Sequence, residues 1–380
     1  MSQKCPNCAG TLLFSPSRQA MYCRMCGATF APEEVGATDY AAPTYNCSVY
    51  SCANCGGEIA VNGTEAATLC LFCGSPNVIF NRTASRRRPD GILPFSITKK
   101  RAKELIEEHI AGGRMVPESV KCVDEKNICG IYLPYRLLSC DFHDAVLINS
   151  KIRRGKHTRN VVTGMAGFTE FNNIPLDSSL SVNDEYSKKL EPFKFDDIRE
   201  FDEDYMSGFY SDAQDAPMED LRKVALKRCD TAFGERSMRM VRGTEPHVTQ
   251  SYPSIKFRDD GLYVLMPCWF YTFTYEGKPY TLLVNGQTGK TTGTIPWNKK
   301  KFIRNWILLF IGLSVVCSLP FFFMDRETLY AIGRVTAFYL APMFSVVCFV
   351  LGMKKMNVIK RELRMTQDRA VFKFVNRGRE

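Results

Sequence analysis

"CPNCAGTLLFSPSRQAMYCRMC", residues Cys5–Cys26, sets two cysteines three apart, then fourteen residues, then a second such pair. "CANCGGEIAVNGTEAATLCLFC", residues Cys52–Cys73, repeats the frame with the same spacer. Divalent zinc takes four ligands in a tetrahedron, and thiolates suit this borderline-soft ion. Two cysteines three apart in a tight turn can face one ion, while the run between the pairs forms the strands that bring in the second pair. Glycine follows the pair at Gly27, Gly56 and Gly74, where a positive φ lets backbone amides turn toward sulfur. Ala9 replaces it in the first pair, and Gly10 comes one later. The spacing predicts two structural Zn2+ ions, one held by Cys5, Cys8, Cys23 and Cys26, the other by Cys52, Cys55, Cys70 and Cys73.

Segments this short cannot bury a sufficient core alone, so bound metal supplies their folding free energy. Four thiolates per ion leave no open coordination position, which makes the sites structural and not hydrolytic. The spacer falls one residue short of the usual range for such sites. Redox pairs and iron–sulfur ligation are disfavoured by four pairs in two equal frames without a thioredoxin-like βαβ pattern. Cys47 has no partner at ligand spacing and reads as a bystander.

The chain has 380 residues, sixteen cysteines, four histidines and a net charge of +10. That length suffices for two or three domains. No apolar N-terminal stretch follows a basic start, so no secretory signal is expected. Residues 1–80 are net acidic and 298–380 strongly basic. An acidic ribbon pair cannot displace counterions from phosphates, so nucleic acid is the less favoured partner for it. A protein partner is favoured. The basic excess flanks two uncharged runs, Trp306–Met324 and Val335–Met353, each long enough to span a bilayer. The flanks predict a transmembrane hairpin at the inner membrane, with both termini cytoplasmic and a basic tail at 354–380. The lipid bilayer is then a partner too.

Between ribbons and hairpin, Thr98 is positioned to cap a helix ending at Gly112-Gly113, and Asp215 to cap one running through "MEDLRKVALKRC". Alternating apolar runs predict antiparallel strands around them. "IYLPYRLLSCDF" (Ile131–Phe142) aligns with "VLMPCWFYTFTY" (Val264–Tyr275), Arg136 standing where Trp269 stands; a duplicated α+β unit or a coincidence of strands explains this. "NGQTGKT", Asn285–Thr291, ends like a phosphate-binding loop, but the first glycine is missing at Val284. Gly293 and Pro296 also forbid the helix that a phosphate loop needs. Cys140, Asp141, His143 and Asp144 read as a surface turn, and His157 as part of a solvated basic loop, so no catalytic set emerges. The chain is read as not an enzyme.

The fold class expected is therefore multi-domain. Zinc ribbons at 1–32 and 46–80 precede a basic linker at 81–91, a central α+β domain at 92–297, and transmembrane helices at 306–324 and 335–353. With "ILPF", "GIYLPY", "LEPFKFDDIREFDEDYMSGFY" and "LMPCWF" added to the ribbons and the hairpin, the chain resembles a bacterial family catalogued as TFIIB-type zinc ribbon-containing membrane proteins. Relatives often carry the name of the primosomal replication-restart helicase. The resemblance implies a recruiting role beside membrane-stress partners. The function expected is a non-enzymatic, membrane-anchored adaptor that recruits a protein partner. The alternative is a nucleic-acid-binding membrane tether linked to DNA replication.

Overall fold

A computed structural model describes residues 4–35, 44–54, 56–61, 70, 75, 78–113, 116–154, 157–179 and 184–293, with scattered positions over 295–308 and 350–354. The first four-cysteine segment forms a small antiparallel sheet of β1 (Leu12–Ser15), β2 (Ala20–Cys23) and β3 (Thr29–Phe30), followed by one turn of helix, α1 (Pro32–Val35). Leu12 pairs with Cys23 and Ser15 with Ala20 across a short turn. Side chains alternate between faces along a strand, so Leu12 and Phe14 are buried on one face while Leu13 and Ser15 stay half-exposed.

All other described strands join one thirteen-stranded sheet. β4 (Thr44–Cys52), β5 (Glu58–Val61) and β6 (Val78–Arg87) come first, then β7 (Gly91–Ile92) and helix α2 (Lys99–Ala111). β8 (Ile128–Arg154) and β9 (His157–Asp177) make a long hairpin, followed by α3 (Asp184–Leu190) and β10 (Arg199–Glu200). The remainder is β11 (Tyr210–Ser211), α4 (Met218–Met240), β12 (Thr244–Ser251), β13 (Ser254–Phe257), β14 (Leu262–Tyr275), β15 (Lys278–Asn285) and β16 (Thr291–Thr292). The expected fold class is corrected accordingly: among the described residues the chain is mostly β-sheet, with four α-helices. The second cysteine segment is no separate small unit, because β5 pairs with β11 and so extends the main sheet. Residues 81–87, read from the sequence as linker, lie in β6. Strand partners are chosen over long sequence distances, and local patterning does not carry that choice.

Thr98 caps α2, its hydroxyl accepting from Arg101 N at 3.2 Å. Asp215 does not cap α4; Pro217 occupies that position without a side-chain bond, and the helix runs on to Met240. The Asn285–Lys290 segment is a tight turn in which Gly289, at φ +76°, donates to Asn285 O. β16 follows it, so no helix presents its N-terminus to a phosphate.

The two proline-centred strands lie side by side. β14 runs antiparallel to β8 with Leu133 opposite Met266, each holding the same place in its own strand, so a local two-fold axis passes between them. The hydrogen bonds repeat about that axis. Ser178 N donates to Pro134 O at 2.9 Å, and Gly286 N to Pro267 O at 2.9 Å. Asp212 N donates to Tyr132 O, and Leu93 N to Leu265 O. Ser178 O accepts from Asp215 and Ala216, as Gly286 O does from Ser96 and Ile97. β7 and α2 thus correspond to β11 and α4, and the β8–β9 hairpin to β14–β15. Small strands β7 and β11 each pair parallel with the other half's long strand.

The halves differ in polarity. Arg136, buried, donates to Gly261 O at 2.9 Å and to a Gln214 amide oxygen oriented toward it. Trp269 in the matching place donates Nε1–H to Ile97 O at 3.0 Å. Asp212 stands where the other half has Leu93. Gly286 cannot carry a side chain, since a Cβ there would lie 2.7 Å from Phe95 and Pro267; its counterpart Ser178 has room for a hydroxyl that bonds Pro134 O.

Among the described residues no helix is long and apolar enough to cross a membrane. The expected transmembrane hairpin at 306–324 and 335–353 finds no support and is withdrawn, together with the multi-pass inner-membrane location. Nearly all of both runs, and of the basic tail at 354–380, lies outside the described residues. Hydropathy sums side chains along a chain and does not establish that the backbone there closes into a spanning helix.

Candidate metal centre

Two backbone loops build the first centre. Cys5 N donates to Gly10 O at 2.8 Å and Ala9 N to Cys5 O at 2.8 Å, folding the chain over Cys5 and Cys8. Cys23 N donates to Ala28 O and Gly27 N to Cys23 O, repeating the loop at the end of β2. Ala9 and Gly27 have φ of 56° and 75°. The alanine fills, at some steric cost, the place for which glycine is the unstrained choice.

The β1–β2 ladder brings these loops together. Sγ of Cys5 lies 3.6 Å from Sγ of Cys26, and Sγ of Cys8 lies 3.4 Å from Sγ of Cys23. All four sulfurs fall within 4.8 Å of one another. A tetrahedron with metal–sulfur bonds of about 2.3 Å has edges of about 3.8 Å. Two edges lie close to that length and none exceeds 4.8 Å, so the set can close on a metal ion with small shifts. Cys5 and Cys23 are buried, whereas Cys8 and Cys26 are exposed, so the centre lies at the surface with its inner half covered.

Protons are already shared unequally among the thiols. The backbone N–H of Cys26 pulls Cys23 down to about 7. Against a lowering pull from the Gly10 N–H, the Cys23 and Cys26 thiols push Cys8 up to about 12. A cation bound at the centre replaces those shared protons and favours thiolate at every ligand.

The small sheet packs its buried face on the main body. Phe14 N donates to Ser207 O at 3.3 Å, Gln19 Nε2 donates to Phe95 O at 2.7 Å, and the Phe14 ring sits 5.0 Å from that of Tyr205. Leu12, Phe14, Met21 and Cys23 belong to one hydrophobic core with Phe95, Tyr132, Phe209 and Trp269. The alternation of Leu12 and Phe14 is the sequence signal for this buried face; nothing local in it names the wall at 202–209.

The second cysteine segment carries the same backbone loops. Cys52 N donates to Gly57 O and Gly56 N to Cys52 O; Cys70 N donates to Ser75 O. Cys52 and Cys70 are buried in one hydrophobic cluster. Cys55 and Cys73, the other two members of the second predicted set, lie outside the described residues. Cys47 is buried, its thiol directed at Ala84 O at 3.6 Å.

Cys140, Asp141, His143 and Asp144 lie on β8 and not on a turn. Alternation splits them. Cys140 faces inward, 3.7 Å from Cys229, and buried Asp144 accepts from Ser251 Oγ and Tyr252 N. Asp141 pairs with Arg258 at 2.6 Å, and the His143 ring rests against Phe168. His157 opens β9. These groups do not converge on a common point.

Compared with known proteins, the chain is similar to a protein of Bacillus subtilis (strain 168) described as uncharacterized protein YdjG. The two are 25% identical over 321 residues, covering 79% of this chain and 92% of the other. No family model matches the chain, and no solved structure matches it. A distant relative over most of its length and a four-cysteine centre fitting a zinc ribbon are what the comparisons and the fold together establish.

Proposed function

We propose that the chain is a non-enzymatic scaffold, stapled by one structural Zn2+ at Cys5, Cys8, Cys23 and Cys26, that recruits a protein partner. The observation that carries the reading is the gathering of four sulfurs within 4.8 Å of one another, two of the pairs close to the edge length of a zinc tetrahedron. Four thiolates complete the coordination sphere, so the ion offers no position for water or substrate and contributes folding free energy instead. Held this way, the small sheet keeps one face on the body and leaves both cysteine loops outside.

Cys8, Arg24, Met25 and Cys26 are exposed, Met25 at 79%. Methionine and arginine are enriched where proteins dock, and here they sit on a loop fixed by metal and backbone bonds. The test is affinity capture with the full-length chain, comparing wild type with the Arg24→Glu/Met25→Asp variant. Loss of one stoichiometric protein partner at unchanged zinc content is the expected result; an unchanged partner list overturns the reading. Nucleic-acid binding that falls steeply with salt would favour the alternative instead.

A further inference from the structure

Among the described residues β9 pairs with β8 alone, from Tyr135 opposite Asp177 to Arg154 opposite His157. Its counterpart in the other half, β15, has β16 along its outer side, with Leu283 opposite Thr292 and Val284 opposite Thr291. An open edge presents unpaired backbone N–H and C=O groups, and proteins commonly guard such edges with lysine, proline or a bulge. β9 has none of these guards where it is most open. From Asn160 to Thr169 it contains neither a charge nor a proline, and its bulge lies opposite Leu138–Cys140, beyond that stretch.

We infer that β9 pairs antiparallel with β9 of a second copy of this chain, about a two-fold axis through Met165. In an antiparallel ladder, opposed residues stand on the same face. That register sets exposed Val162 (61%) against exposed Phe168 (52%) of the second copy, twice over, and Gly164 against Ala166. Large side chains meet large ones, while the small residues at the centre let the strands approach. This self-complementarity is what an isologous contact requires.

Charge selects the same direction. His157 and Arg159 begin the strand, with Arg153 across from Thr158; Glu170 ends the uncharged stretch beside Asp141, both bound by Arg258. Antiparallel pairing lays the basic end of each copy along the acidic end of the other. Parallel pairing would set like ends together. The inference is independent of the metal centre.

The test is the mass of the full-length chain by sedimentation and light scattering, with detergent present to keep the apolar C-terminal runs from associating. Wild type is expected at twice the 43.1 kDa chain mass. A Cβ at Gly164 would meet only Leu147, at an ordinary 3.5 Å, and Ala166 is exposed, so both positions accept longer side chains. Gly164→Lys/Ala166→Lys sets like charges opposite each other at two places and should weaken the dimer roughly tenfold or more. Gly164→Lys/Ala166→Glu opposes unlike charges and should restore it. Zinc content and the circular dichroism spectrum, read on all three, verify the fold. A monomeric wild type, a dimer indifferent to the double lysine variant, or no recovery with the lysine–glutamate pair overturns the inference.

Discussion

The two four-cysteine segments share a motif and differ in what surrounds it. The first closes on itself: strands of four, four and two residues, joined to the body through the Phe14 face. The second is woven in. β4 pairs with β6 from Thr44–Arg87 to Cys52–Val78, and β5 joins β11 of the body. A ladder of that length holds Cys52 in place with or without an ion, whereas three short strands do not so hold their cysteines. One motif thus holds a small sheet together, while in the second segment Cys52 is carried by a long ladder of the main sheet.

Removing a ligand of the first centre should have the largest effect. Cys23→Ser is expected to melt β1–β3 and cost about 4 kcal/mol or more, with hydrogen exchange at Leu12–Cys23 rising to that of an unfolded segment. Protection there equal to wild type would erase the contrast between the segments. Phe14→Ala, which strips the wall contact and leaves the ligands intact, should cost about 3 kcal/mol in denaturant unfolding while zinc stays bound.

A smaller effect sharpens the contrast from the body side. β11, which receives the second segment, leads into Asp212, whose carboxyl burial pushes up to about 6 against the lowering hydrogen bonds from Ser179 and Ala213. A folded-state value raised above the unfolded one means that the folded chain binds the extra proton. Stability from this group is therefore greatest below about pH 4 and is lost as pH rises to about 6. Asp212→Asn should remove that dependence, narrowing its deficit against wild type, or gaining on it, by about 2 kcal/mol between pH 4 and 7. Parallel stability curves for the two proteins would contradict this. Cys52→Ser should have the smallest effect, about 1 kcal/mol, with β4–β6 exchange protection retained.

The ligands of the first centre were legible because metal-binding spacing is a local constraint: two tight turns, one spacer, four thiols. The Thr98 cap was legible for the same reason. What the chain does with Tyr45–Cys52 was not, since β-strand partners are set by contacts far along the sequence. Pro134 and Pro267 hinted at a repeated unit, but the two-fold axis emerges only from hydrogen bonds whose partners, such as Ser178 and Gly286, share no side-chain chemistry. Cys140 and Asp144 misled for a related reason. Close in sequence, they belong to a strand whose neighbours on α4 and β12 satisfy them separately. The apolar runs after residue 305 were read on length, hydropathy and flanking charge, and no helix among the described residues is long and apolar enough to bear that reading out.

The most direct measurement is zinc per chain in purified wild type and Cys23→Ser, by elemental analysis under reducing conditions. The account predicts that wild type holds zinc and that the substitution removes one equivalent together with the ordered signals of β1–β3. Wild type without zinc, or a variant with an undiminished zinc content, would contradict it.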